Sequence, residues 1–121
     1  MNTRKLILIA ALFLLPLCVM ANRTSVEIIA PSSADEGEEI TVKIEVSHRG
    51  NSSRHHTDWV YLKINGEEVK RWEYSRNDLP EDSSFVIEYV FEVTETVELE
   101  AKGNCNLHGS SGEETKTITV D

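Results

Sequence analysis

Apolar residues in this chain recur at every second position, which is the spacing of a strand and not of a helix. Ile40, Val42, Ile44 and Val46 alternate with Thr41, Lys43 and Glu45. Phe85, Ile87, Tyr89, Phe91 and Val93 mark one face of a long segment whose other face carries Glu88 and Glu92. Val97, Leu99 and Ala101 alternate with Glu98 and Glu100, and Ile118 and Val120 repeat the pattern near the C-terminus. Asn65-Gly66, between Ile64 and Val69, has the signature of a tight hairpin, because both residues tolerate positive φ. The pattern predicts about seven strands, at 25–30, 39–47, 58–64, 68–74, 84–93, 96–102 and 115–120. From Ser25 onward no stretch keeps helical spacing for three turns.

The first 21 residues break the pattern. Arg4 and Lys5 precede an uncharged apolar run from Leu6 to Leu17, and Val19-Met20-Ala21 offers a small-residue exit. This is the tripartite form of a secretory signal peptide. The expectation is an exported protein, periplasmic or extracellular, made of a signal at 1–21 and one domain at 22–121. A lipid anchor on Cys18 is disfavoured because Leu17 precedes it, and the apolar run is short for a membrane span. About 100 residues remain, enough for one small core. Short strands joined by polar turns at this length predict an all-β fold, an immunoglobulin-like antiparallel β-sandwich.

Cleavage removes Arg4 and Lys5 and no acid, so the net charge moves from −9 to −11. That charge excludes a nucleic-acid binder and an anionic membrane surface as partners. The acids fall mostly on outward positions and act as a solvated face. Cleavage also removes Cys18, leaving Cys105 as the single thiol, so no disulfide forms within the domain.

All four histidines lie in the mature part, in two groups. His48, His55 and His56 bracket one loop after the second predicted strand. His108 follows Cys105 in Cys105-Asn106-Leu107-His108-Gly109. A Cys-x-x-His turn can aim a sulfur and an imidazole nitrogen at one point, and the two groups together predict a metal site. In an extended segment His55 and His56 face opposite sides, so one of the two joins the site. The expected set is three histidines and one thiolate.

Cys-Asn-Leu-His-Gly resembles the signature of the superoxide reductase family, the neelaredoxin and desulfoferrodoxin iron domain. His55-His56-Thr57-Asp58-Trp59-Val60 is similar to that family's His-x-x-x-Trp-Ile segment, and His48 stands upstream as the family's first loop histidine does. The resemblance runs from about Val26 to Gly109. It implies a seven-stranded sandwich and a mononuclear non-haem iron (Fe2+/Fe3+) held by His48, His55, Cys105 and His108, with Cys105 as the axial thiolate. It further implies superoxide as substrate, hydrogen peroxide as product, and an external electron donor, since no four-cysteine rubredoxin-like segment is present. Four features depart from the family, one being a loop between His48 and His55 that is one residue longer. The family's fourth histidine and neighbouring lysine precede the first strand, where Thr24 and Arg23 stand here, and no histidine lies between Asn22 and Ser47. Arg49 replaces the proline after the loop histidine. Ser110 and Ser111 lead into a further strand where the family usually ends. The place left by the missing imidazole falls to water, His56 or another chain.

The loop from His48 to His56 carries Arg49 and Arg54 and no acid, whereas the segment from Glu27 to Glu45 carries six acids and one lysine. Arg49 and Arg54 are therefore the candidates for steering an anion into the site. The main competing reading is a non-catalytic metal-binding module, with structural zinc on three histidines and one cysteine or with an inactive iron. A blue-copper carrier is disfavoured because the mature chain has neither methionine nor glutamine for the axial position. Hydrolytic chemistry is disfavoured because Ser110-Ser111 lacks an elbow glycine pattern.

Overall fold

The computed structural model describes residues 22–121; the signal-peptide reading of 1–21 lies outside the described residues. Eight strands follow one another: β1 (Ser25–Ile29), β2 (Ser33–Ala34), β3 (Glu38–Ser47), β4 (Thr57–Ile64), β5 (Glu67–Glu73), β6 (Ser84–Val93), β7 (Val97–Cys105) and β8 (Glu114–Val120). They form a three-stranded sheet, β1-β3-β6, and a five-stranded sheet, β2-β8-β7-β4-β5. All long neighbours are antiparallel; the parallel pair is β2 with β8. The fold is an all-β sandwich, and among the described residues no helix is long and apolar enough to cross a membrane.

The alternation in β3 becomes alternating burial, with Ile40, Val42, Ile44 and Val46 inside. The five-stranded sheet answers with Val60, Leu62, Leu99, Ala101 and Ile118, all fully buried. Burying these two apolar faces against each other is the main drive to fold. Asn65 and Gly66 both adopt positive φ, 52° and 81°, and join β4 to β5 as the sequence predicts.

Three differences from the expected strands bear on the fold and the site. The first strand stops at Ile29, because Pro31 has no N–H to continue a ladder. The chain crosses there to the other sheet, where Ser33 and Ala34 form the short β2 beside β8, an eighth strand that two residues of sequence do not announce. The strand expected at 96–102 runs further. It continues to Cys105, with Gly103 paired to Val60 and Cys105 to Thr57. Gly103 is a close-approach position: a Cβ there would lie 2.7 Å from Thr24 Cγ2 and 3.1 Å from Val26 Cγ1. Glycine lets the N-terminal segment pack flat on the sheet.

Candidate metal centre

The extension of β7 decides where the chemistry sits. It carries Cys105 to the end of the sandwich at which β3 finishes and β4 begins. His48 follows β3 directly, and His55 and His56 precede β4. The three-stranded sheet thus supplies His48 and the five-stranded sheet supplies His55 and Cys105. Between Thr57 and Trp59 the register of β4 against β7 slips, a bulge that re-aims the strand end beside the site.

The donor atoms of His48, His55 and Cys105 all lie within 4.8 Å of one another. Cys105 is buried and free, and His48 is buried. His48 Nε2 and His55 Nε2 are both buried with no hydrogen-bond partner. A buried imidazole nitrogen without a partner is costly, and two of them in residues that cluster with one thiol mark a place for a bound ion. Bonds of about 2.0–2.3 Å to nitrogen and sulfur let a single ion span nearly such separations. The donors therefore fit a late first-row metal, for which imidazole and thiolate are the usual ligands. The His55 pKa is lowered from 6.5, first by burial and then by the neighbouring His48 and His108, against a raising hydrogen bond with the Asn22 main chain. A neutral His55 is the ligating form.

His108 is exposed at the rim. Its ring stands edge-on to that of His55 at 4.9 Å, while its nitrogens lie outside the donor group. The His48 and His55 rings make a similar edge contact at 4.6 Å. The His108 main-chain N–H donates to Cys105 Sγ at 3.4 Å, so the tight turn already presents a dipole to the sulfur. That turn is closed by Gly109 N donating to Cys105 O and Cys105 N donating to Gly109 O, with Gly109 at φ 77°. His56 is buried outside the cluster, with its Nδ1 3.0 Å from the Ser52 carbonyl. Arg49 and Arg54 are both exposed on the loop.

Sequence reading missed the residues that hold this loop. Asn106 Oδ1 accepts from His56 N, and its Nδ2 donates to the Arg54 carbonyl. Asn51 Oδ1 accepts from Thr57 N at 2.9 Å and lies 3.2 Å from His48 Nδ1. Asn104 Nδ2 donates to Asp58 Oδ1. Asparagine in a polar loop carries no signal of such bonds. Thr24, just before β1, is fully buried. Its Oγ1 is 2.9 Å from Thr57 Oγ1, and its main chain bonds Gly109 and Ser111.

Fold and site together define a class, the small β-sandwich whose two sheets meet at one end around a histidine and cysteine cluster. The sequence profile of desulfoferrodoxin matches residues 20–112, and the chain belongs to that family. Among solved structures it is similar to a superoxide reductase (neelaredoxin) from Ignicoccus hospitalis, with 22% identity, a TM-score of 0.67, and coverage of 82% of this chain and 83% of that one. A second similar structure, titled a candidate superoxide reductase, comes from Thermotoga maritima, with 20% identity, a TM-score of 0.62, and coverage of 80% and 86%. A CARDB domain from Pyrococcus furiosus, solved with di-metal ions, shares the fold at 17% identity and a TM-score of 0.61, with coverage of 83% and 94%. No curated protein matches the chain.

Proposed function

We propose that the protein is an exported, iron-binding oxidoreductase that reduces superoxide to hydrogen peroxide. The observation that carries the reading is the pair of buried, unpartnered nitrogens, His48 Nε2 and His55 Nε2, facing the buried Cys105 thiol in a chain of the desulfoferrodoxin family. His48, His55 and Cys105 would hold the ion, and His108, its ring already packed against His55, would join them by rotation of its side chain. The chemistry that iron supplies when bound is transfer of one electron to superoxide, which with two protons from water becomes hydrogen peroxide. An external donor then restores that electron.

The chain's own residues set the conditions for this reaction. Cys105 would supply the sulfur ligand, and the main-chain N–H of His108 already donates to that sulfur. Burial of His55 favours its neutral form, which keeps a lone pair free to bind. Arg49 and Arg54 raise the local concentration of an anionic substrate in a protein of net negative charge.

The decisive experiment mixes anaerobic, reduced protein with a superoxide pulse by stopped flow, after metal analysis of protein purified without oxygen. The expected result is stoichiometric loss of superoxide, formation of peroxide, and turnover only when an electron donor is added. A second reading is a zinc-stapled, non-catalytic module. It is favoured by the donor count, because with Thr24 near the family's fourth-histidine place the nominated set is three histidines and one thiolate. Native zinc with no acceleration of superoxide decay would replace the first reading by the second.

A further inference from the structure

We propose that Asn51 is the positioning residue of His48, and that its side-chain amide dictates which nitrogen of the His48 ring is free to bind a metal. The inference rests on the reading of His48 as a ligand and adds a residue that the family resemblance does not nominate. Asn51 sits in the loop between β3 and β4, three residues beyond His48. Its amide has three neighbours. Oδ1 accepts from Thr57 N at 2.9 Å, Nδ2 donates to the Asp82 carbonyl at 2.7 Å, and Oδ1 lies 3.2 Å from His48 Nδ1.

Two of those neighbours are main-chain groups with no choice of role. A backbone N–H only donates and a backbone carbonyl only accepts. Together they orient the amide, oxygen toward Thr57 and nitrogen toward Asp82. The atom facing His48 is therefore an acceptor, so His48 Nδ1 must carry the hydrogen. A neutral imidazole has one N–H, which leaves the lone pair on Nε2. Nε2 is the atom found buried without a partner, in a residue that brings one ring nitrogen within 4.8 Å of the His55 and Cys105 donors. The same amide ties the residue after β3, the first residue of β4 and the chain just before β6. His48 is held at a fixed height relative to both sheets, and the His48 N–H bond to the Ser83 carbonyl at 2.9 Å supports the same junction.

Cobalt(II) affinity, measured by chelator competition on purified protein, tests the idea in a cycle of four proteins: parent, Asn51→Ala, His48→Ala and the double variant. Loss of an outer partner of a ligating histidine typically weakens metal binding about 10–100-fold. Asn51→Ala is expected to do so in the parent. In the His48→Ala background it is expected to change affinity by no more than about twofold, the scatter of independent effects. Asn51→Asp, which keeps an acceptor for His48 Nδ1, is expected to restore most of the lost affinity. An equal loss in both backgrounds would show that Asn51 only closes the loop and would overturn the proposal, as would no loss in the parent. If His48→Ala alone leaves affinity unchanged, the ligand reading itself fails, and that outcome is distinct from the other two. Long-range 1H–15N spectra of the unmutated, zinc(II)-loaded protein give a check that needs no variant to fold. They are expected to show His48 bound through Nε2 with a hydrogen on Nδ1; the reverse pattern would refute the assignment.

Discussion

Replacing Gly103 with alanine adds one methyl group where the structure has no room for it. The residue lies buried near the C-terminal end of β7, opposite Val60, and its φ is not in the left-handed region. Backbone strain therefore does not oppose the change, and loss of freedom in the unfolded chain favours it by about 0.4–1 kcal/mol. The new Cβ would stand 2.7 Å from Thr24 Cγ2, 3.1 Å from Val26 Cγ1 and 3.6 Å from Val60 Cγ2. Thr24 cannot yield cheaply. It is β-branched, fully buried, and held through Oγ1 to Thr57 at 2.9 Å. Overpacking costs about 1–3 kcal/mol, and losing the buried hydroxyl pair adds about 1 kcal/mol. The net expectation is a loss of about 2 kcal/mol, or roughly 8–16 °C in Tm for a domain of this size. Thermal unfolding followed by circular dichroism, with chelator present, reads this directly. Thr24→Ser removes Cγ2 and keeps Oγ1, so the double variant should recover half or more of the loss, the Val26 contact remaining. A Gly103→Ala protein within about 0.5 kcal/mol of the parent would refute the steric argument. Absence of any rescue by Thr24→Ser would show that the clash is relieved somewhere other than Thr24.

Three further outcomes are expected. Cys105→Ser should abolish sulfur-to-metal charge-transfer absorption with cobalt(II), whereas His56→Ala, outside the donor cluster, should retain it; equal loss in both would make His56 a ligand. Because the His55 pKa is lowered in the folded state, the unfolded chain binds its proton more readily. Its contribution to stability is therefore present above about pH 6.5 and is lost as pH falls through the lower folded value, which Tm measured against pH for parent and His55→Asn checks by difference. Neutralising Arg49 and Arg54 together should slow superoxide capture and flatten its ionic-strength dependence in stopped flow, with little change in Tm, since both are exposed.

Much of the fold was legible because alternation is a local consequence of the pleat. Ile40 to Val46 and Phe85 to Val93 declare which face is inward without reference to any partner strand. The Asn65-Gly66 hairpin is equally local, since positive φ at two successive residues depends on those residues alone. The nomination of His48, His55, Cys105 and His108 likewise came from residue chemistry and short spacing, in the light of a family resemblance.

What pairs across the chain was not legible. Gly103-Asn104 has the composition of a turn, yet β4 and the N-terminal segment make it strand, because glycine there answers a long-range steric demand and not a local one. Ser33-Ala34 is a strand only because β8 lies beside it. That His48 from one sheet meets His55 and Cys105 from the other within 4.8 Å depends on three strand ends finishing at the same height. The amide of Asn51, bonded to Thr57 and Asp82, belongs to the same class of fact. A sequence records which atoms are able to bond, and only the packed chain decides which of them come within reach, because hydrogen bonds around this site join residues that are 33, 46 or 50 positions apart.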